Sequence, residues 1–193
     1  MVDAPQVQGA LDGYQAAFAG LETHGLRVAA VPHLAQINLR GQARVLATPV
    51  AEACAGLSLA HSVNAATTHG TWHSLGLGPD EWLLVGPSGA ESTTAAALAA
   101  KLTTHHVSVV DVTANRAVLD IAGSASTALF ASLTGFDMAA LTPGRCTQTM
   151  LAKTQVIMQS GPDPGAVRVF VRNSFARYLA DVIIDAAPLL KTP

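Results

Sequence analysis

Arg145-Cys-Thr-Gln-Thr-Met-Leu-Ala-Lys-Thr-Gln-Val-Ile-Met-Gln159 is followed by Gly161-Pro-Asp-Pro-Gly165, Val167-Arg-Val-Phe-Val-Arg172 and Asn173-Ser-Phe-Ala-Arg-Tyr-Leu-Ala-Asp-Val-Ile-Ile-Asp-Ala-Ala187. The first run has β character, and the Gly/Pro cluster after it is a turn signal. The second run is short, β-branched and aromatic, the composition of a strand. The third sets Phe175, Leu179, Val182, Ile183 and Ala186 on one stripe at helical spacing, with Arg177, Asp181 and Asp185 opposite. Asn173 or Ser174 is placed to cap its first turn. A strand, turn, strand, helix unit results, and none of it has the residues of a catalytic centre.

Upstream, the same order occurs once before. Leu34 to Arg40 reads as a strand ending at Gly41. Thr48-Pro49 has the form of an N-cap with proline at the first helical position, giving a helix through Cys54 to Gly56. Asn64 to Gly76 reads as an extended ribbon, and Trp82 to Val85 as a short apolar strand between two Gly-Pro turns. Ser88 and Glu91 have capping-box spacing for a helix over 89–102. Val107 to Val112 and Ala117 to Ile121 read as strands joined by a turn at Asn115. A helix after Gly123 carries Leu129, Phe130 and Leu133. Gly41 and Gly123 open equivalent sequences, which predicts an α+β fold of two duplicated βαββαβ-like halves with antiparallel sheets and helices on one face. The expected boundaries are an N-terminal arm over 1–33, a domain over 34–187 with halves near 34–112 and 116–187, and a tail over 188–193. Tyr14, Phe18 and Leu21 fall at helical spacing inside the arm, which reads as lying on another surface and not in a core.

Charged residues are only 12% of the 193, and apolar ones 50%, against about 25% charged in an ordinary globular chain. That balance leaves a surface hard to cover with polar groups and predicts a face buried by a partner. A formal net charge of −2 and the absence of a Lys/Arg cluster argue against a nucleic-acid partner. No apolar run has the length of a membrane span, and the N-terminus carries no positive charge before Arg27, unlike a secretory signal. Cys54 and Cys146 are isolated thiols without CxxC spacing, as in a reducing compartment, so a cytoplasmic protein is expected.

The chemistry-bearing residues are few. His61, His69 and His73 lie close in sequence, yet no cysteine or carboxylate completes a ligand set, so no metal site is expected. Asp80 and Glu81 are adjacent and point to opposite faces of a strand. Asp111 and Asp120 flank the expected hairpin, solvated or paired with Arg116. No dinucleotide fingerprint, phosphate loop or nucleophile elbow occurs, so no catalytic, cofactor-binding or metal residue is assigned. Trp82 is either a core ring or the wall of a site for a flat ligand. Arg145 and Arg172 stand at strand ends, where they pair internally, meet acidic residues of a partner or clamp a carboxylate. With Trp82 and Arg177 they make up the candidate partner-interface or structural residues.

Three motifs carry a resemblance: Leu77-Gly-Pro-Asp-Glu-Trp-Leu-Leu-Val85, Pro143-Gly-Arg-Cys-Thr-Gln-Thr-Met-Leu-Ala-Lys153 and Val171-Arg-Asn-Ser-Phe-Ala-Arg-Tyr-Leu-Ala-Asp181. In this order they resemble the gamma subunit of heterotetrameric sarcosine oxidase, over roughly Leu34 to Ala187. The resemblance implies a fold similar to the folate-binding aminomethyltransferase of the glycine cleavage system. It implies a non-catalytic subunit, inactive alone, in an oxidoreductase that demethylates sarcosine to glycine, with hydrogen peroxide and either formaldehyde or 5,10-methylenetetrahydrofolate as products. FAD, FMN and NAD would be held by the alpha and beta subunits and zinc by delta, with alpha the expected contact of this chain. No position here matches a folate-contacting carboxylate of the aminomethyltransferase. The alternatives are a stand-alone folate-dependent aminomethyl transferase and the equivalent subunit of a related dehydrogenase, such as that for N-methylglutamate.

Overall fold

The computed structural model describes residues 9–161, 163 and 165–190. Residues 1–8 of the expected arm, 191–193 of the expected tail, and Pro162 and Pro164 of the expected turn lie outside them. In chain order the elements are α1 (Gln15–Gly20), β1 (Arg27–Val31), β2 (Ala35–Arg40), α2 (Ala43–Ala53), β3 (Ala66–His69), β4 (Trp72–Gly78), β5 (Glu81–Gly86) and α3 (Glu91–Lys101). Then follow β6 (Ser108–Asp111), β7 (Arg116–Ala122), α4 (Ser126–Leu133), β8 (Cys146–Leu151), β9 (Thr154–Ser160), β10 (Val167–Arg172) and α5 (Asn173–Ala186).

The strands form two antiparallel sheets of five, ordered β3-β4-β5-β2-β6 and β1-β7-β10-β9-β8. Each is a hairpin, then the strand after it, then the strand that opens the half, then an edge strand. The duplicated α+β architecture is therefore present. The edge strands are exchanged: β1 leads into β2 but pairs with β7, while β6 leads into β7 but pairs with β2. The strands on either side of Asn115 are thus in different sheets and do not form the expected hairpin. Asp111 instead accepts a bond from the Thr113 N–H, and Asp120 pairs with Arg168, not Arg116.

Alternating side chains sort into three apolar layers. On β5, Trp82 and Leu84 face α2 and α3, while Leu83 and Val85 face the other sheet. On β10, Val167, Val169 and Val171 face α4 and α5, and Phe170 joins the layer between the sheets. Both sheets are consequently buried on both faces, and such strands read as nearly continuous apolar runs. Much of the apolar excess that pointed to a partner is consumed by these internal layers.

The N-terminal segment is not an arm. Leu11, Phe18, Leu21, Leu26 and Val28 are buried in the core of the second half, and β1 completes its sheet through five residue pairs with β7. Its weak periodicity arose because a six-residue helix, a 3-10 turn and a five-residue strand each present only one or two apolar residues to that core.

Three helix readings change. α2 starts at Ala43 and holds Pro49 in its interior. Gln42, in extended conformation after Gly41, begins the helix, and Leu46 and Val50, four apart, bury the same face. That burial offsets the hydrogen bond that Pro49 cannot donate. α3 starts at Glu91, behind Ala90 with no side-chain cap, so the Ser88/Glu91 box does not form. In α5 the buried stripe is Ala176, Leu179, Ala180 and Ile183. Two alanines let the helix lie close on the sheet, and Phe175 is left 47% exposed. Asn173 donates to the Ala114 carbonyl and caps nothing.

Candidate functional site

Two cavities occupy matching places in the two halves. The larger, about 690 Å³, is lined by Ala43 and Ala47 of α2, Leu57 and Leu59 of the following loop, the Gly78-Pro79 turn and Trp82. The second, about 490 Å³, is lined by Ser126 and Phe130 of α4, Leu141 of its following loop, the Gly161 turn and Val167. The repeat of helix, loop and turn produces both, so neither is peculiar to one half. The larger offers only Arg44 and His61 as ionisable lining groups, the smaller only Asp163. Ser58 and Ser62 line the larger cavity with His61, but among the described residues no hydrogen bond joins either hydroxyl to that imidazole. Among the described residues no three His, Cys, Asp or Glu side chains are grouped to hold a metal ion.

A partly exposed polar group lies on the faces the two sheets turn toward each other. Arg168 forks onto Asp120, Nε to Oδ1 and Nη2 to Oδ2 both at 2.7 Å. Thr68 Oγ1 and Gln159 Nε2 lie 3.0 and 3.1 Å from His73 Nδ1. Burial lowers the His73 pKa, the Arg168 charge lowers it further, and Asp120 opposes both. His69 and His73 do not share a strand as an unbroken ribbon would have it, because a turn at Gly70 folds β3 against β4. Both cysteines are buried and unpaired. Burial pushes the Cys54 thiol up to about 12 and the Cys146 thiol up to about 11.

At one end of this layer, β7 and β10 place Arg116 directly opposite Arg172. Each is two residues from a side chain of the inter-sheet core, Val118 and Phe170, so both arginines share that face. Arg172 donates to the Asn115 amide oxygen at 2.6 Å. Among the described residues neither arginine has a carboxylate within ion-pair distance: the three pairs are Arg40–Glu81, Lys101–Glu52 and Arg168–Asp120. Burial draws the Arg116 pKa down, as does the Arg172 charge, against the pull of Glu81.

The four candidate residues do not converge. Trp82 is 4% exposed, with Nε1 donating to the Ala60 carbonyl at 2.9 Å, so it is a core ring that also walls the larger cavity. Arg145 is exposed beside the point where the two sheets touch, its backbone bridging Ala65. Arg177 donates to the Ala10 carbonyl at 3.1 Å and fastens the N-terminal segment to α5. Arg172 alone stands in a cluster of like residues. Arg116, its partner, was seen in the sequence only as a mate for nearby carboxylates, since cross-strand register is not visible before the sheet is known.

The model of the sarcosine oxidase, gamma subunit family matches residues 40–188. The chain belongs to this family. Among solved structures it is similar to a chain of the heterotetrameric sarcosine oxidase from Corynebacterium sp. U-96 in complex with pyrrole 2-carboxylate. That match has a TM-score of 0.81 at 22% identity and covers 95% of each chain. It is also similar to glycine cleavage system aminomethyltransferase T from Bartonella henselae, with a TM-score of 0.61 at 16% identity. There the match covers 89% of this chain but 49% of the transferase chain. No curated protein matches.

Proposed function

We propose that this chain is a non-catalytic subunit of a heterotetrameric sarcosine oxidase, in which it docks on partner subunits and stabilises the assembly. The family match over residues 40–188 carries the reading. In this reading the oxidase demethylates sarcosine to glycine, with hydrogen peroxide and formaldehyde or 5,10-methylenetetrahydrofolate as products. FAD, FMN and NAD belong to the alpha and beta subunits and zinc to delta, in the cytoplasm. This chain's own part is mechanical: binding a partner stabilises only the folded state, and so raises the melting temperature of both.

Co-expression tests this. With the alpha, beta and delta subunits the chain should purify in a four-subunit complex that oxidises sarcosine. Removing it should lower the melting temperature of the remainder. A chain that never joins the complex, or that turns over sarcosine unaided, would overturn the reading. Activity toward N-methylglutamate and not sarcosine would move the complex to the related dehydrogenase.

The shared transferase fold favours one second reading, a folate-dependent aminomethyl transferase. Its test is calorimetric titration of the isolated chain with tetrahydrofolate. Micromolar binding would support it, and silence would leave the subunit reading.

A further inference from the structure

Two cations side by side, with Glu81, the carboxylate that pulls on Arg116, already bonded to Arg40 and Asn38, need an explanation. Like charges directly opposite on neighbouring strands destabilise a sheet, and a charge withdrawn from water is costly unless it is paired. Arg116 meets both conditions: it is half-buried, and it faces Arg172. The fold itself does not require an arginine there. The repeat that sets Gly123 over Gly41 sets Arg116 over Leu34, an apolar residue packed against the inter-sheet core.

The helix that follows Arg172 in sequence is apolar and uncovered on its side away from the sheet. Arg172 immediately precedes α5, and Phe175 and Tyr178 follow it at three-residue steps, 47% and 38% exposed. Half-buried Val182 and exposed Leu189 extend this ridge away from the buried stripe. Six large apolar side chains are exposed among the described residues, and Phe175, Tyr178 and Leu189 put three of them on this ridge. Neither cavity includes Arg116 or Arg172. Arginine is also among the residues that concentrate binding energy at interfaces.

We infer that Arg116 and Arg172 form a docking point for a partner subunit that presents an acidic side chain. The inference rests on the subunit reading above and names the face and the chemistry of the contact. The arginine pair is left unanswered in the free chain because the partner supplies the anion.

Affinity of the tagged full chain for the other three subunits, measured by titration at low and high salt, tests it. R172E and R116L should each weaken assembly at least tenfold. Salt should weaken the wild type and scarcely affect R116L/R172L, since it screens the charge contact the variant lacks. R116L puts the repeat's own leucine in place, so it should melt no lower than wild type while assembling worse. If the wild type does not join, the subunit reading itself falls. If the wild type joins and both variants join equally well, only the docking surface falls. R116L that loses melting temperature and affinity together would mark a structural residue and overturn the inference. So would succinate binding to the free wild type but not to R116L/R172L, which would make the pair a small-anion site.

Discussion

A Cβ added to Gly123 would lie 2.2 Å from the carbonyl oxygen of Gly25. The two glycines come from the seam between β7 and the N-terminal segment, where the Gly25 carbonyl also accepts the Ala125 N–H at 3.1 Å. Gly123 has a φ of +118°, closed to side-chain-bearing residues without strain. Gly123→Ala should therefore cost roughly 1–3 kcal/mol from backbone conformation alone, and more because the obstacle is backbone. Urea denaturation measures it. A midpoint equal to wild type would show that the seam opens freely.

Leu179 of α5 is fully buried, whereas Phe175 of the same helix is 47% exposed. Leu179→Ala should cost about 2–5 kcal/mol, and Phe175→Ala within about 0.5 kcal/mol, as for surface positions. Equal losses would mean that the helix sits rotated toward the stripe its sequence suggests.

That stripe shows how far the sequence could be read. The strand, helix and glycine order that repeats from Gly41 to Gly123 gave the fold class, because backbone preferences are local. The five apolar residues of α5 gave a helix, but its rotation depends on how closely Ala176 and Ala180 let it approach the sheet. The N-terminal segment was misread for a related reason. Val28 and its neighbours become core only because β7 leaves an edge open for β1, a pairing of residues about ninety positions apart in register. Arg172 was legible as a candidate, since it ends a strand. Its partner Arg116 was not, because only the β7–β10 register sets the two side by side.

Cys54 and Cys146 are buried, with thiol pKa values near 12 and 11. Attack requires the thiolate and access to it. At pH 8 iodoacetamide should modify neither cysteine in the folded chain and both in denaturant, counted by intact mass. Rapid native labelling of Cys146 would show that the layer between the sheets opens.

His73 supplies a pH dependence whose sign follows from its surroundings. Its pKa is lowered in the folded chain, first by burial and then by the Arg168 charge, with Asp120 pulling the other way. In the unfolded chain it should titrate near 6.5. Below that value the unfolded state binds a proton that the folded state resists, so stability rises with pH across this window. The contribution is fully present above about pH 6.5 and is lost as pH falls. His73→Gln keeps a hydrogen-bonding side chain between Thr68 and Gln159 but cannot take up the proton. Melting temperatures at pH 7.5 and pH 5 should therefore fall further for wild type than for His73→Gln. Identical falls would mean that His73 titrates as it does in water and that the layer between the sheets is wet at that end.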